Sequence, residues 1–296
     1  MKVQDSSTPE GRMQLGIFAT VFQRATLEET LAAVRSHGLE TIQFDMVCAG
    51  LPEMPDYIDD ATSRRVRSAA SEFKLDIAAL SGMYNMIHPE LEQRRAGMRR
   101  LGVLIAAAPD MGIKIITLCT GTRDPINMWR RHAANDDSDA WADVRAAMTE
   151  AVELAEKHDV VLAFEPEVAN VVDSAQKARR LLDEVGSPHL KVVFDGANIF
   201  HKGELPQMRE MLTEAVDLLA KDIVIAHAKD LDRDGEAGHL AAGKGLLDYG
   251  YYLGLLEHAG FTGPILLHGL SEDQVDGCKQ FMLQWLPRGE RHSNQN

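Results

Sequence analysis

The sequence predicts one α/β domain, a single (β/α)8 TIM barrel, on three observations. Short apolar, β-rich runs alternate strictly with amphipathic helical patterns, eight of each, and such alternation gives a parallel sheet with right-handed crossovers. Eight strands close that sheet into a barrel of roughly 250 residues, so the 296 residues present do not require two domains. The competing open sheet would carry a Gly-x-Gly-x-x-Gly turn after its first strand, and none follows residues 15–18.

The strands are expected at 15–18, 41–44, 76–80, 114–119, 160–164, 190–194, 222–226 and 264–267. In the first helix Thr26 and Glu29 form a capping box, Leu27, Leu31 and Val34 share one face, and Gly38 ends the pattern. Later helices are expected at 61–73, 91–111, 141–157, 174–184, 206–220, 249–258 and 274–286, with Gly112, Gly186 and Gly260 supplying turns. One connection is out of proportion. Residues 121–140 separate the fourth strand from its helix, leave the catalytic face, and carry Arg123, Trp129, Arg130, Arg131 and His132. A connection of that length in a compact domain is expected to be a lid. The polar segment 1–14 and the tail 287–296 read as flexible flanks of a folded region at 15–286.

Composition narrows the function. A hydrophobic content of 45% supplies a large core, while a formal charge of −14 argues against holding a nucleic-acid backbone. No apolar stretch reaches membrane-spanning length and no apolar signal core follows the start. Cys48, Cys119 and Cys278 are far apart with no CxxC pairing, which fits a reducing cytoplasm.

Four of the later strands run directly into a metal-binding side chain: Glu165, Asp195, His227 and His268. The intervals between them are 30, 32 and 41 residues, the length of one strand-helix unit. In a closed parallel barrel the carboxyl ends of these strands lie side by side, so the four converge at one mouth. Two carboxylates with two imidazoles suit a divalent cation, Mn²⁺, Zn²⁺, Co²⁺ or Mg²⁺. Near them stand Glu167 and Asn198, as support or as substrate contacts, and Lys229, which alternates with His227 and points into the mouth unless it pairs with Asp230. Asp45, Asn85 and His88 follow earlier strands on the same face, and Lys244 lies in a Gly-Lys-Gly triplet. His37, His158, His189 and His258 fall in or at the ends of helices and read as structural or exposed. No GxSxG, HExxH or P-loop motif is present.

The segments LCTGTRDPINMW, LAFEPEVANVV, VFDGANIF, HAKDLD, AGKGLLDYGYY and ILLHGLSE resemble the xylose isomerase-like barrels that include sugar phosphate isomerases and epimerases. The resemblance covers about residues 15 to 286. It implies a cation held at the ends of the last four strands by Glu, Asp, His and Glu, with the two glutamates as bases. Glu165, Asp195 and His227 match the first three. His268 stands where the second glutamate is expected, which removes one carboxylate base, and Asn198 replaces a histidine often found shortly after the aspartate. The DNA-repair branch of this barrel uses a larger histidine-rich cluster and does not suit the acidic balance here.

The expected function is therefore a divalent-metal-dependent sugar or sugar phosphate isomerase or epimerase, working by proton transfer next to a carbonyl through a metal-stabilised enediolate. Glu165 is the expected base, with Glu167 or His268 sharing the task. Lys229 would steady the substrate oxygen. Asn198, Asn85 and His88 would contact substrate, and Arg123 would reach an acidic or phosphorylated end from the lid. The alternatives are a dehydratase or lyase on a keto-sugar or inositol derivative, and a non-catalytic sugar-binding barrel. The expected partner is a small sugar, with a homodimer expected by analogy.

Overall fold

The computed structural model describes residues 12–286. Parallel strands β1 (Gln14–Phe18), β2 (Thr41–Phe44), β3 (Asp76–Ser81), β4 (Ile115–Cys119), β5 (Val161–Glu165), β6 (Leu190–Asp195) and β7 (Ile223–Asp230) pair in sequence order. A two-residue strand, β8 (Leu240–Ala241), turns back antiparallel onto the end of β7. Strand β9 (Pro264–Leu267) then pairs with both β7 and β1, which closes an eight-stranded parallel barrel. Around it run α1 (Leu27–Ser36), α2 (Asp60–Glu72), α3 (Leu91–Met111), α4 (Ser138–Lys157), α5 (Ala175–Val185), α6 (Met208–Leu219), α7 (Tyr249–His258) and α8 (Val275–Met282). The capping box at Thr26 and Glu29 is formed. No helix among the described residues is long and apolar enough to cross a membrane.

Differences from the expected boundaries have local causes. Met13, expected in the flexible lead, packs in the core, and Gln14 already belongs to β1. The rest of that lead up to residue 11 and the tail 287–296 lie outside the described residues. Strand β7 runs four residues beyond the expected 226 because β8 supplies hydrogen-bond partners for Lys229 and Asp230.

Strand periodicity positions the site. Ala79, Ala163, Val193, Ile225 and Leu266, on β3, β5, β6, β7 and β9, form a buried cluster separate from the main core between strands and helices. Side chains two apart on a strand share a face. Glu165, Asp195, His227 and His268 each follow one of these apolar residues by two positions, so they stand one layer nearer the carboxyl end of the barrel. Gly16 lets β1 approach its neighbours at this level, since a Cβ there would lie 2.6 Å from both Thr41 O and a Leu266 methyl.

Candidate metal centre at the barrel mouth

One donor atom from each of Asp195, His227 and His268 lies within 4.8 Å of the other two. Asp195 and His227 are direct partners in the β6–β7 register. Glu165 joins the group through its Oε2, 3.3 Å from His227 Nδ1. Asp195 Oδ2, His227 Nδ1 and His268 Nδ1 are buried and make no hydrogen bond of good geometry; the first two have only a charged neighbour, Lys229 Nζ at 3.5 Å and Glu165 Oε2 at 3.3 Å. Leaving three such atoms without a full hydrogen bond is costly, and donors of these types about 2.0–2.2 Å from one divalent cation would all be satisfied after a small inward shift. The residues present therefore fit a cation.

Surrounding side chains fix this set. The Tyr252 hydroxyl on α7 shares its one hydrogen between the backbone oxygens of Phe194 and His227, 3.0 and 3.1 Å away, and Tyr249 donates to that of Lys229 at 2.9 Å. These buried hydroxyls clamp the ends of β6 and β7. Phe18, at the end of β1, stacks on the His268 ring with centroids 4.2 Å apart and meets His227 edge-on. Gln43 on β2 is almost wholly buried, and its amide donates to Ser81 Oγ and Thr117 Oγ1, both at 3.0 Å. Its oxygen is thereby turned toward His227 Nε2, 3.4 Å away. With the ring proton on Nε2 this contact is a hydrogen bond, and Nδ1, beside Glu165 Oε2, is then the atom that a cation would take. Gln43→Leu is expected to weaken divalent-cation binding by about 10–100-fold, while Gln43→Glu, which keeps an acceptor, retains most of it; calorimetric titration of both variants checks this.

The electrostatics match a neutral imidazole and a charged ammonium. Burial, together with Lys229 and His227, pushes His268 well below the ordinary imidazole range. Burial alone would lower Lys229, but Asp195, Glu165 and Glu167 outweigh it and hold the ammonium above its usual range. Burial likewise opposes ionisation of Glu165, yet His227 and Lys229 keep its carboxyl low. Burial raises Asp195, reinforced by Glu165 and opposed by Lys229. Burial and then the Glu165 charge push Glu167 up to about 7.

The remaining expected site residues separate into two groups. Glu167, Asn198 and Lys229 line a cavity of about 520 Å³ together with Glu165, His227 and His268. Lys229 pairs with Asp195 at 3.5 Å and not with Asp230, which accepts from the backbone of Leu231, Gly243 and Leu247. Asn198 donates to Glu165 Oε1 and accepts from the Gly238 N–H, so it steadies the carboxylate. Asn85, His88 and Arg123 do not line the cavity. Asn85 exchanges hydrogen bonds with the Thr122 backbone, drawn close by Gly121, whose φ is +82° and where a Cβ would lie 2.3 Å from Asn85 Oδ1. His88 Nε2 faces Pro125 O. Arg123 turns outward to Ile87 O and to Asp143 on α4, where an ion pair at 2.5 Å holds it. These three anchor the 121–140 connection, whose Trp129 reaches the cavity. Lys244 is exposed and away from it.

Residues 31–282 match the family described as xylose isomerase-like TIM barrel. The chain belongs to that family. It is 29% identical over 243 residues to a 2-epi-5-epi-valiolone 7-phosphate 2-epimerase from Actinoplanes sp., covering 81% of this chain and 80% of that protein. Among solved structures it is similar to 3-keto-D-glucoside 4-epimerase, YcjR, from E. coli, with a TM-score of 0.71 at 15% identity, covering 92% of this chain and 100% of the other. It is similar also to the IOLI protein with a bound zinc atom, with a TM-score of 0.69 at 16% identity, covering 92% and 96%.

Proposed function

We propose that this member of the family is a divalent-metal-dependent epimerase or isomerase of sugar-derived substrates that moves a proton next to a carbonyl. The observation that carries the reading is the cluster of Asp195, His227 and His268 donor atoms, none in a hydrogen bond of good geometry, at the floor of the cavity that Glu165 and Glu167 line. The epimerase activities named for the Actinoplanes and E. coli proteins support it, as does the zinc in a similar fold. When bound, a divalent ion supplies Lewis acidity to a substrate carbonyl and its neighbouring hydroxyl.

The chain's own residues perform the rest. Glu165 takes the proton from the carbon beside the carbonyl, oriented by the Asn198 amide. Lys229, kept charged by its carboxylate neighbours, offers N–H donors to oxygen as negative charge develops on it. Glu167 has one oxygen held by the Asn170 amide at 3.2 Å and the other buried without a partner. It can hold or return a proton at that free oxygen, a task for which an affinity near neutrality is suited. Glu167 thereby gives the cavity a second glutamate beside Glu165 although residue 268 is histidine.

Incubation in D2O with Mn²⁺, Zn²⁺, Co²⁺ or Mg²⁺ and a panel of ketoses, keto-cyclitols and their phosphates tests the reading by NMR. Metal-dependent deuterium uptake at the carbon next to the carbonyl, with an epimer or isomer formed, is expected. A metal-loaded protein that exchanges no substrate proton would overturn it. His268→Glu adds a negative charge and a hard oxygen donor, so competition titrations should show preference shifting toward harder ions such as Mg²⁺.

A further inference from the structure

The charge of the mouth carries a statement about the substrate. Asp45, Glu53, Glu165 and Glu167 line the cavity, and among the described lining residues Lys229 is the one side chain carrying an ammonium or guanidinium. Arginines on nearby loops are committed elsewhere: Arg123 to Asp143, Arg130 to Asp124, and Arg131 to Asp136 and Asp173. Glu165, Asp195 and Glu167 carry three negative charges, which a divalent cation and Lys229, paired with Asp195, together offset. Asp45 and Glu53 are left uncompensated at the opening. The Glu167 oxygen without a partner belongs to a residue only 4% exposed. When ionised, an acceptor buried in this way is suited to a donor from whatever fills the cavity, a hydroxyl or an ammonium hydrogen.

We propose that this cavity selects a substrate presenting hydroxyl or amino groups and no phosphate, such as a free sugar, a cyclitol or an amino derivative. The proposal rests on the reading of the cavity as a sugar-transforming site, and it sets this chain apart from the Actinoplanes relative, whose name carries a 7-phosphate. A phosphate dianion needs arginine, lysine or a cluster of free backbone N–H groups. Here it would meet carboxylates in a partly desolvated pocket, where like charges repel more strongly than in water.

Two measurements at pH 8 test this on the Mg²⁺-loaded full chain. In the first, Val47→Cys in a Cys48→Ser background places a thiol at the opening, where Val47 lines the cavity and is 48% exposed. Its reaction rates with cationic trimethylammonium-ethyl and anionic sulfonatoethyl methanethiosulfonate are compared with those of free cysteine. The cation-to-anion rate ratio is expected to exceed that of free cysteine by about tenfold or more, and to fall toward it in the added Asp45→Asn/Glu53→Gln variant. A ratio no greater than that of free cysteine would overturn the proposal. In the second, kcat/KM is compared for each free ketose or keto-cyclitol and its phosphate. Preference for the free form by about tenfold or more, narrowed by Asp45→Asn/Glu53→Gln, supports the proposal, and preference for the phosphate overturns it while leaving the epimerase reading intact. Turnover of neither form alongside a high thiol-reaction ratio would reject the epimerase reading and uphold the charge of the mouth.

Discussion

Asp195→Asn is expected to weaken divalent-cation binding more than about 100-fold, beyond the 10–100-fold typical of losing an outer partner of a ligand. The substitution keeps volume and shape at a side chain with no exposure, so packing changes little. What it removes is the anionic donor whose Oδ2 has only the Lys229 ammonium at 3.5 Å and which sits in register opposite His227. Burial already disfavours the isolated Asp195 charge, and an adjacent dication is what makes a carboxylate there favourable. Because a cation that binds only the folded state raises its stability, added Mn²⁺ should raise the Tm of the parent protein but not that of Asp195→Asn. Equal metal affinity in the two proteins would remove Asp195 from the centre.

Glu165→Gln separates binding from chemistry. At saturating metal, proton exchange should fall by about 10²–10⁴-fold, the range set by loss of a positioned base. Metal affinity should fall far less, because the cluster of Asp195, His227 and His268 donor atoms does not include Glu165. The amide still accepts from Asn198 and so holds its place. Deuterium uptake measured across a metal titration gives both quantities. Proton exchange retained at the parent rate would transfer the base role away from Glu165, with Glu167→Gln as the next substitution to compare.

The barrel and the four strand-end side chains were legible in the sequence because both rest on simple periods. Alternation of elements at a fixed length gives the barrel, and a polar residue two positions past an apolar interior residue gives the mouth. The support around those side chains was not legible. Gln43 lies in the short strand TIQF, where one polar residue among three that suit a strand has no spacing of its own; its signal is that an amide in a wholly buried strand must have partners. Phe18 and Tyr252 read as ordinary core aromatics until their contacts with His268 and with the β6 and β7 backbone are seen. For Asn85, His88 and Arg123 the sequence placed the residues on the correct face but not the direction of their side chains. Arg123 is turned by Asp143, twenty residues away on the following helix. Lys229 met Asp195 and not its neighbour Asp230 because consecutive strand residues face opposite sides.

The most direct test of the account is a crystal structure of the protein grown with Mn²⁺, with diffraction recorded for the anomalous signal of manganese. One anomalous peak is expected at the mouth, about 2.0–2.4 Å from donor atoms of Asp195, His227 and His268, with the Glu165 carboxylate beside it. Absence of a peak at saturating Mn²⁺, or a peak elsewhere with Asp195 Oδ2, His227 Nδ1 and His268 Nδ1 still unpaired, would contradict it.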